Sequence, residues 1–538
     1  MAFIKTQKLV FSADGQIISG SAAIVDTFYV KDARYHAQHH VRERLGRVIF
    51  LANDKKSGIF LSPTRGLVEY NVIDDNFSEV SRSDPRVDGI DAFSEPAIHT
   101  VFGDFYLLMC YFEKLGLNRL FKDVFQTNLA LERVLAHVFH GVMRNGSRIT
   151  CDNFIAKSFA SSVLDDISLK TLRTDTAFFR LLGEDKTKMR FFKAFIAYRR
   201  QIHPGFGRSC YVDSTPLPND ITDNPFNALC SHGIGSVGIQ MRMVLVLDEY
   251  SGLPVWFDLI PGNVLDLSTI LKVLDDVGSN LGITIDSLVL DAGYASEELI
   301  RAFHIGSNKS LICRMPARKG YPYRELYTQL KPMLAKGKYA FVREHHAYFG
   351  HKRKILLWGH EEYAYVYVDK NNALQRFRDY LLEHQEEYDA LKDSEKDWLT
   401  VKNGYFVLLS NRDTTPAQIL SDYFKRVEIE SVFKSCKEYL ELLPLRKWTD
   451  TTVRGKMLYD TINFIVLSAM RVSFIDTGIS ISELSGRIQS LMCHLSGNGL
   501  VTVETPNKKT AAYYKLMGIK VPSRVDIADF KRRLLCQN

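Results

Sequence analysis

Cysteine pairs spaced Cys-x-x-Cys are missing from this chain. Its eight cysteines (110, 151, 210, 230, 313, 436, 493 and 536) are scattered, most within or beside apolar runs. That distribution excludes a disulfide-stapled secreted scaffold and points to buried free thiols in a reducing compartment. Cys230-Ser231-His232 and Cys493-His494 lack a second ligand pair at zinc-finger spacing, so structural zinc is not expected. Long apolar runs are missing too: the longest, near 105–112, is far too short to cross a bilayer. No basic-then-apolar leader opens the sequence, and a soluble cytoplasmic protein is the expectation. Nor is one sign of charge scarce. The 69 Lys and Arg against 62 Asp and Glu leave +7, which is compatible with a polyanionic partner but common among ordinary enzymes. At 538 residues the chain is long enough for several domains and a sizeable core.

What the sequence does contain is a stripe of Tyr423, Arg426, Glu430 and Lys437. At roughly 100° per residue these positions fall within an arc of about 60° on one helical face. Thr415-Pro416-Ala417-Gln418 supplies an N-cap, a proline at the first helical position and a glutamine placed for a capping box. Two readings of the stripe are open. An aromatic ring, a planar cation, a carboxylate and a flexible cation can hold a metal ion beside a phosphate backbone. They can also be a solvated face, since Lys425, Glu428, Lys434 and Glu438 are close by.

Two upstream carboxylates bear on that choice. Asp213 follows the apolar run Tyr211-Val212, and Asp291 ends Leu288-Val289-Leu290 just before Ala292-Gly293-Tyr294. Two strand-end aspartates and a helical glutamate can converge although distant in sequence. Their oxygens are the ligands that Mg²⁺ or Mn²⁺ prefers. Two such ions roughly 3.5–4 Å apart activate an attacking water or hydroxyl and stabilise the leaving oxygen of a phosphodiester.

These motifs resemble the DDE transposases of bacterial insertion sequences, in particular the superfamily with the Tyr-x2-Arg-x3-Glu-x6-Lys signature. That spacing is matched at Tyr423, Arg426, Glu430 and Lys437. Asp213 in Asp-Ser-Thr and Asp291 in Asp-Ala-Gly-Tyr look like the first and second catalytic aspartates, and Pro261-Gly262-Asn263 with Asp266 looks like the strand-to-helix turn between them. The resemblance runs from about 211 to 471. It implies that Asp213, Asp291 and Glu430 are catalytic and hold two Mg²⁺ (or Mn²⁺) ions, with Tyr423, Arg426 and Lys437 on the DNA. It also implies double-stranded DNA with terminal inverted repeats and target DNA as partners, a homodimer in the DNA complex, and no membrane.

The expected fold is α/β: a ribonuclease H-like core interrupted by a β-rich insertion and preceded by a helical DNA-binding region. Residues 1–96 read as a β-rich module and linker, with a hairpin at 47–51 and 59–61. This module can grip DNA or contact a subunit. Residues 97–207 are helical; basic flanks including Arg144, Arg148, Lys157, Lys188, Arg190, Lys193, Arg199 and Arg200 suit helix-turn-helix docking, against a plain spacer. The core spans 208–314 and 401–475, the insertion 315–400, and a C-terminal region 476–538, with a helix expected at 481–495. Asp248, a third strand-end aspartate, reads as turn chemistry. His36, His39 and His40 would share a face if helical, as a polar patch. Lys508-Lys509 and Lys531-Arg532-Arg533 read as solvated surface.

The expected function is metal-dependent transposition. Water cleaves at the element's end and the freed 3′-hydroxyl attacks the target. The alternatives are a nuclease on the same fold without strand transfer and a domesticated, non-catalytic DNA-binding descendant. In relatives the hydroxyl can first form a hairpin, which needs an extruded base. Of the insertion's Trp358 and Trp398, Trp398 is favoured as the stacking platform for its proximity to the signature helix, against simple core packing.

Overall fold

The computed structural model describes residues 2–11, 17–30, 36–62, 65–81, 84–87, 98–144, 150–165, 167–168, 171–172, 176–218, 224, 226–230, 238–264, 266–304, 309–439, 445, 447–474, 477–495 and 499–536. The chain falls into two compact units, residues 1–98 with 495–499, and residues 99–494 with 500–538.

The first unit is a six-stranded antiparallel sheet in sequential order: β1 (Ala2–Phe11), β2 (Ile17–Val30), β3 (His36–Leu51), β4 (Ser57–Ser62), β5 (Gly66–Asn71) and β6 (Asn76–Glu79). Ile4, Ile24, Leu45, Val48, Phe60 and Tyr70 form its core. The hairpin read from 47–51 and 59–61 is present, with Arg47 opposite Leu61. Two strands are long, 14 residues for β2 and 16 for β3. His36, His39 and His40 lie on β3 and not on a helix, so adjacent His39 and His40 point to opposite faces. The expected linker begins folded: β6 occupies its start, and buried Val87 packs with Ile49 and Ile59.

The second unit opens with β7 (Ile98–Val101) and the helices α1 (Gly103–Leu115), α2 (Leu117–Val124), α3 (Asn128–Arg144), α4 (Cys151–Lys157), α5 (Thr176–Leu182) and α6 (Asp185–Ile202). There follow β8 (Ser209–Pro218), β9 (Ala228–Cys230), β10 (Gly238–Asp248), β11 (Pro254–Pro261), α7 (Asp266–Leu281), β12 (Ser287–Leu290), α8 (Glu297–His304) and β13 (Ser310–Arg314). The segment expected as an insertion holds α9 (Tyr323–Leu334), β14 (Ala340–Arg343), β15 (His346–Leu357), β16 (His360–Asp369), α10 (Lys370–Asp389) and α11 (Asp393–Lys402). The chain returns through β17 (Tyr405–Ser410), α12 (Pro416–Tyr439) and α13 (Asp450–Val472). It finishes with α14 (Ile481–Ile488), β18 (Met492–Leu495), β19 (Leu500–Val503), α15 (Lys508–Leu516), β20 (Arg524–Asp526) and α16 (Ile527–Leu535). The helix expected over 481–495 therefore ends early and gives way to a strand.

One sheet organises this unit, in the order β11-β10-β8-β12-β13-β17-β16-β15-β14, with β9 on β10. Strands β8, β10 and β11 are antiparallel neighbours, whereas β12 runs parallel to both β8 and β13. The strands at 340–369 make no sheet of their own. Through β17 they extend the central one. Gly262, after β11, is required by crowding: a Cβ there would lie 2.3 Å from the Gln240 carbonyl oxygen.

Helix α13 is buried along most of its length and packs against α1, α3, α5, α12 and β11. Its crossing with α5 is so close that a Cβ on Gly455 would sit 1.9 Å from the Phe179 oxygen, and one on Gly183 1.7 Å from that of Thr451. Some cations of the helical region serve packing. Lys188 Nζ lies 3.9 Å from the centre of the Trp256 ring and 3.7 Å from Asp258. Burial pushes its ammonium down to about 8. The basic run near the C-terminus is also engaged: Arg533 pairs with Glu113 at 2.9 Å, Arg532 with Asp529 at 3.3 Å, and Lys531 with Asp165. Arg148 lies outside the described residues. Cys151, Cys210, Cys313 and Cys493 are buried free thiols, and among the described residues no helix is long and apolar enough to cross a membrane.

Within α13 the side chains of Lys456 and Asp460 are 4% and 5% exposed and meet at 2.5 Å. Removing one member of a buried pair strands the other charge, at a cost of about 3–5 kcal/mol, whereas replacing both with apolar groups of similar size is often neutral. Asp460→Ala is therefore expected to destabilise the unit by roughly that amount, and Lys456→Met with Asp460→Leu by much less. Urea denaturation of the three proteins checks this; equal losses would show that the pair is not acting as a pair.

Candidate active site

Strand pairing brings the segments that carry the two aspartates side by side. Strands β8 and β12 pair in parallel with Ser209 opposite Ser287 and Tyr211 opposite Val289. Two residues further along the same register come Asp213 and Asp291, on strands about 4.8 Å apart. On its other side Asp213 pairs with Leu245 of β10. Asp291 leaves β12 in extended conformation (φ −80°, ψ 173°) and starts the one-turn helix Ala292–Tyr294. Both carboxylates are partly exposed.

Helix α12 is fixed over this point by its own first turns. Thr415 caps it by accepting from the Gln418 N–H at 3.2 Å, as read from sequence. Gln418 does not complete a capping box; its amide reaches forward to Asp422 at 2.9 Å. Asp422 also receives Arg412 at 2.8 Å, and its carbonyl accepts from the Tyr211 hydroxyl of β8 at 3.4 Å. The next residue makes the decisive contact: the Tyr423 hydroxyl donates to Asp291 Oδ1 at 3.2 Å.

The resemblance implies a DNA contact for Tyr423, and the hydrogen bond to Asp291 is a role that neither it nor the stripe indicates. Burial, then the Asp291 charge, pushes the Tyr423 phenol well above its ordinary range, so the donor keeps its proton at neutral and alkaline pH. Arg426 places its guanidinium 5.4 Å from the centre of the Tyr423 ring. Tyr423 and Arg426 are 4% and 7% exposed. At these two positions the stripe is not a solvated face. Glu430 and Lys437 continue the same helix, Glu430 about 10 Å beyond Tyr423 along its axis, and their side chains lie outside the described residues.

A cavity of about 640 Å³ opens beside Tyr423 and Arg426, lined also by Arg314, Arg343, Phe406 and Phe424. Arg343 lies 4.7 Å from the centre of the Phe424 ring and Arg314 5.7 Å from that of Phe406. Sequence reasoning missed both arginines, and no local pattern marks them. They become a set only because β13, β14 and β17 share a sheet. A larger depression of about 900 Å³ involves Arg119, Lys122, Arg532 and Arg533 with Glu113, Asp123 and Asp529. It is distant in topology from Asp291, and its arginines 532 and 533 are already paired.

The remaining candidates sit elsewhere. Trp398, on α11, packs tilted against Tyr327 at 5.1 Å and edge-on to Tyr405 at 5.4 Å, with Arg324 5.2 Å from its centre. None of these described contacts reaches Tyr423 or Asp291. Trp358 stands in the β15–β16 turn at φ 49°, 5.2 Å from Tyr321. Asp248 is turn chemistry: its carboxylate accepts from the Gly207 N–H at 2.9 Å and from Ser251 N–H and hydroxyl at 2.9 and 2.7 Å. It faces Cys210 in the register, three residues and about 10 Å from Asp213 along the strand.

Residues 211–458 match the family model described as the transposase DDE domain. The chain carries a transposase DDE domain. The matched segment begins at Tyr211, two residues before Asp213, and runs through α12 into α13. A piggyBac transposase synaptic complex with hairpin DNA is similar at 11% identity and a TM-score of 0.36, over 80% of this chain and 79% of that one. No curated protein matches the chain.

In this DDE domain the Tyr423–Asp291 bond yields a direct test. Partners that orient a metal-ligating carboxylate are worth about 10–100-fold in metal affinity or activity. Tyr423→Phe keeps the ring and removes the donor. If Asp291 holds a metal ion, as the resemblance implies, the change is expected to weaken metal-dependent activity about 10-fold or more, evenly across neutral and mildly alkaline pH, where the wild-type phenol keeps its proton. Rates at varied Mg²⁺ concentration measure this. Wild-type behaviour at limiting metal would remove the orienting role.

Proposed function

We propose that this chain is a metal-dependent DNA transposase that cleaves insertion-sequence ends and joins them to target DNA by phosphoryl transfer. The observation carrying this reading is the placement of Asp213 and Asp291, each two residues past the Tyr211–Val289 pairing of adjacent parallel strands, with the Tyr423 hydroxyl of α12 bonded to the second aspartate. The order β11-β10-β8-β12-β13, with β12 and β13 parallel to β8, supports a ribonuclease H-like core.

Asp213, Asp291 and Glu430 would hold two Mg²⁺ or Mn²⁺ ions. The donor set fits: both described members are partly exposed carboxylates on adjacent strands, and the hydrogen bond to Tyr423 engages Oδ1 of Asp291. When bound, such ions activate the attacking oxygen and stabilise the leaving one. The chain itself fixes direction and access. Tyr423 sets the plane of the Asp291 carboxylate. Arg426 offers phosphate a planar, multi-donor cation, and Lys437 offers it a point charge. The arginine and aromatic surfaces of the adjoining cavity suit a nucleic-acid strand, whose phosphates and bases need both. Terminal inverted repeats, target DNA and a homodimer in the DNA-bound complex belong to the same reading.

Alanine at Asp213, Asp291 or Glu430 is expected to abolish metal-dependent cleavage and strand transfer on terminal-repeat DNA while leaving end binding largely intact. Asp248→Ala should retain the chemistry and lose stability, about 1–3 kcal/mol for the stranded turn donors. Normal strand transfer by Glu430→Ala would sink the assignment. Cleavage without joining by the wild type would turn it into a nuclease, and end binding without either step into a non-catalytic descendant.

If an extruded base stacks on Trp398, Trp398→Ala should lose hairpin formation and keep first-strand nicking. The packing of Trp398 against Tyr327 and Tyr405 gives the contrasting outcome, equal loss of both steps through loss of α11. Gel analysis of the two products separates them.

A further inference from the structure

A second group of potential ligands lies on another sheet of the same unit. Strands β7 and β18 are neighbours in the four-stranded order β20-β19-β18-β7. On the buried side Thr100 Oγ1 and Cys493 Sγ lie 3.3 Å apart. Alternation along each strand sends the adjacent His99 and His494 to the opposite side. There the two imidazoles meet edge to face at 4.1 Å between centroids. Glu504, just past β19, is held by its N–H donating to the Met492 carbonyl at 3.0 Å, and its carboxylate comes within 3.5 Å of His494 Nε2. One nitrogen or oxygen from each of the three residues lies within 4.8 Å of the other two. Among the described residues no other trio of His, Cys, Asp or Glu converges in this way.

We propose that His99, His494 and Glu504 bind one divalent transition-metal ion, zinc by ligand chemistry, separately from the carboxylate site. An exposed imidazole–carboxylate pair needs only one histidine and is worth about 0–1 kcal/mol. A second imidazole against the first adds nothing to that pair, and two protonated rings at this spacing would repel. A cation reverses the account, since neutral imidazoles and a carboxylate are all donors toward it. Two imidazoles and one carboxylate form a recurrent three-ligand set for Zn²⁺, with bonds of about 2.0–2.2 Å and one position left for water. The three donor atoms, within 4.8 Å of one another, would have to draw together around the ion to reach that distance.

The ligand types also separate the two sites. Imidazole favours zinc, copper and nickel, whereas carboxylate oxygens alone favour magnesium and manganese. Cys493, beside His494 in sequence, faces the buried side and takes no part. The motif Cys493-His494 thus contributes only its histidine, and the ligands missing beside it are supplied by His99, far away in the chain, and by Glu504, ten residues on. Bound metal would pin β7 to β18, strands contributed by opposite ends of the unit, and would stabilise the folded state by mass action.

Full-length protein without a histidine tag, loaded with Zn²⁺ and desalted in excess Mg²⁺, tests this. Wild type and Asp291→Ala should each retain one zinc per chain, and His99→Ala and His494→Ala should bind at least about 10-fold more weakly. Glu504→Gln, the mildest change in shape, should weaken retention in the same direction. Co²⁺ added to the wild type should give visible d–d absorption that Zn²⁺ displaces, a readout that needs no variant. No zinc retained by wild type, equal retention by both histidine variants, or loss confined to Asp291→Ala would each overturn the proposal. The last outcome would assign the zinc to the carboxylate site.

Discussion

The parallel register between β8 and β12 is the constraint on which the site depends. Asp213 and Asp291 are 78 residues apart in sequence (291 less 213), and nothing local holds them together. Backbone pairing from Ser209–Ser287 to Tyr211–Val289 does so. A slip of one residue would turn one of the two carboxylates to the opposite face of the sheet. The pairing is protected by burial: Cys210, Tyr211, Val212, Leu288, Val289 and Leu290 are all nearly inaccessible. A slip would therefore expose apolar surface on one side and bury a charge on the other. Hydrophobic packing two residues away sets the spacing of two anions.

Helix α12 depends on the same strands. Its N-terminal turns are tied to β8 by Tyr211 and to the end of β12 by Tyr423. Both ties are tyrosine hydroxyls on largely buried rings. A phenol suits this position better than a lysine. It gives one directed hydrogen bond, loses little rotamer entropy and brings no charge to cancel that of the carboxylate. Asp291 thus gains a directed partner that brings no countercharge.

Much of this was legible in the sequence, and the reason differs from element to element. The strand leading to Asp291 and the capped start of α12 are local patterns, an apolar run before a turn and a threonine before proline, whereas Asp213, expected at a strand end, lies inside β8, which runs on to Pro218. Asp248 was separable from them because a hairpin turn dictates which end of the strand it occupies. The Tyr423–Asp291 bond was not legible, since helical periodicity gives a shared face and not what that face meets. Arg314 and Arg343 were invisible for a related reason. An arginine at the end of a short strand carries no mark until its neighbours in the sheet are known. At 340–369 the sequence showed strands but could not show that β17 would carry them into the central sheet.

The histidines mark the same boundary from the other side. Spacing rules for zinc work when ligands come from one hairpin or one helix turn, because the chain is then its own ruler. His99 and His494 are measured by sheet pairing instead, across nearly the whole second unit. Their partner Glu504 is set by a single backbone hydrogen bond to Met492. Asp213 and Asp291 obey the same logic: strand adjacency, not chain spacing, brings them near one another. Oxygen donors at the β8–β12 edge suit hard ions, and nitrogen donors at the β7–β18 edge suit borderline ones.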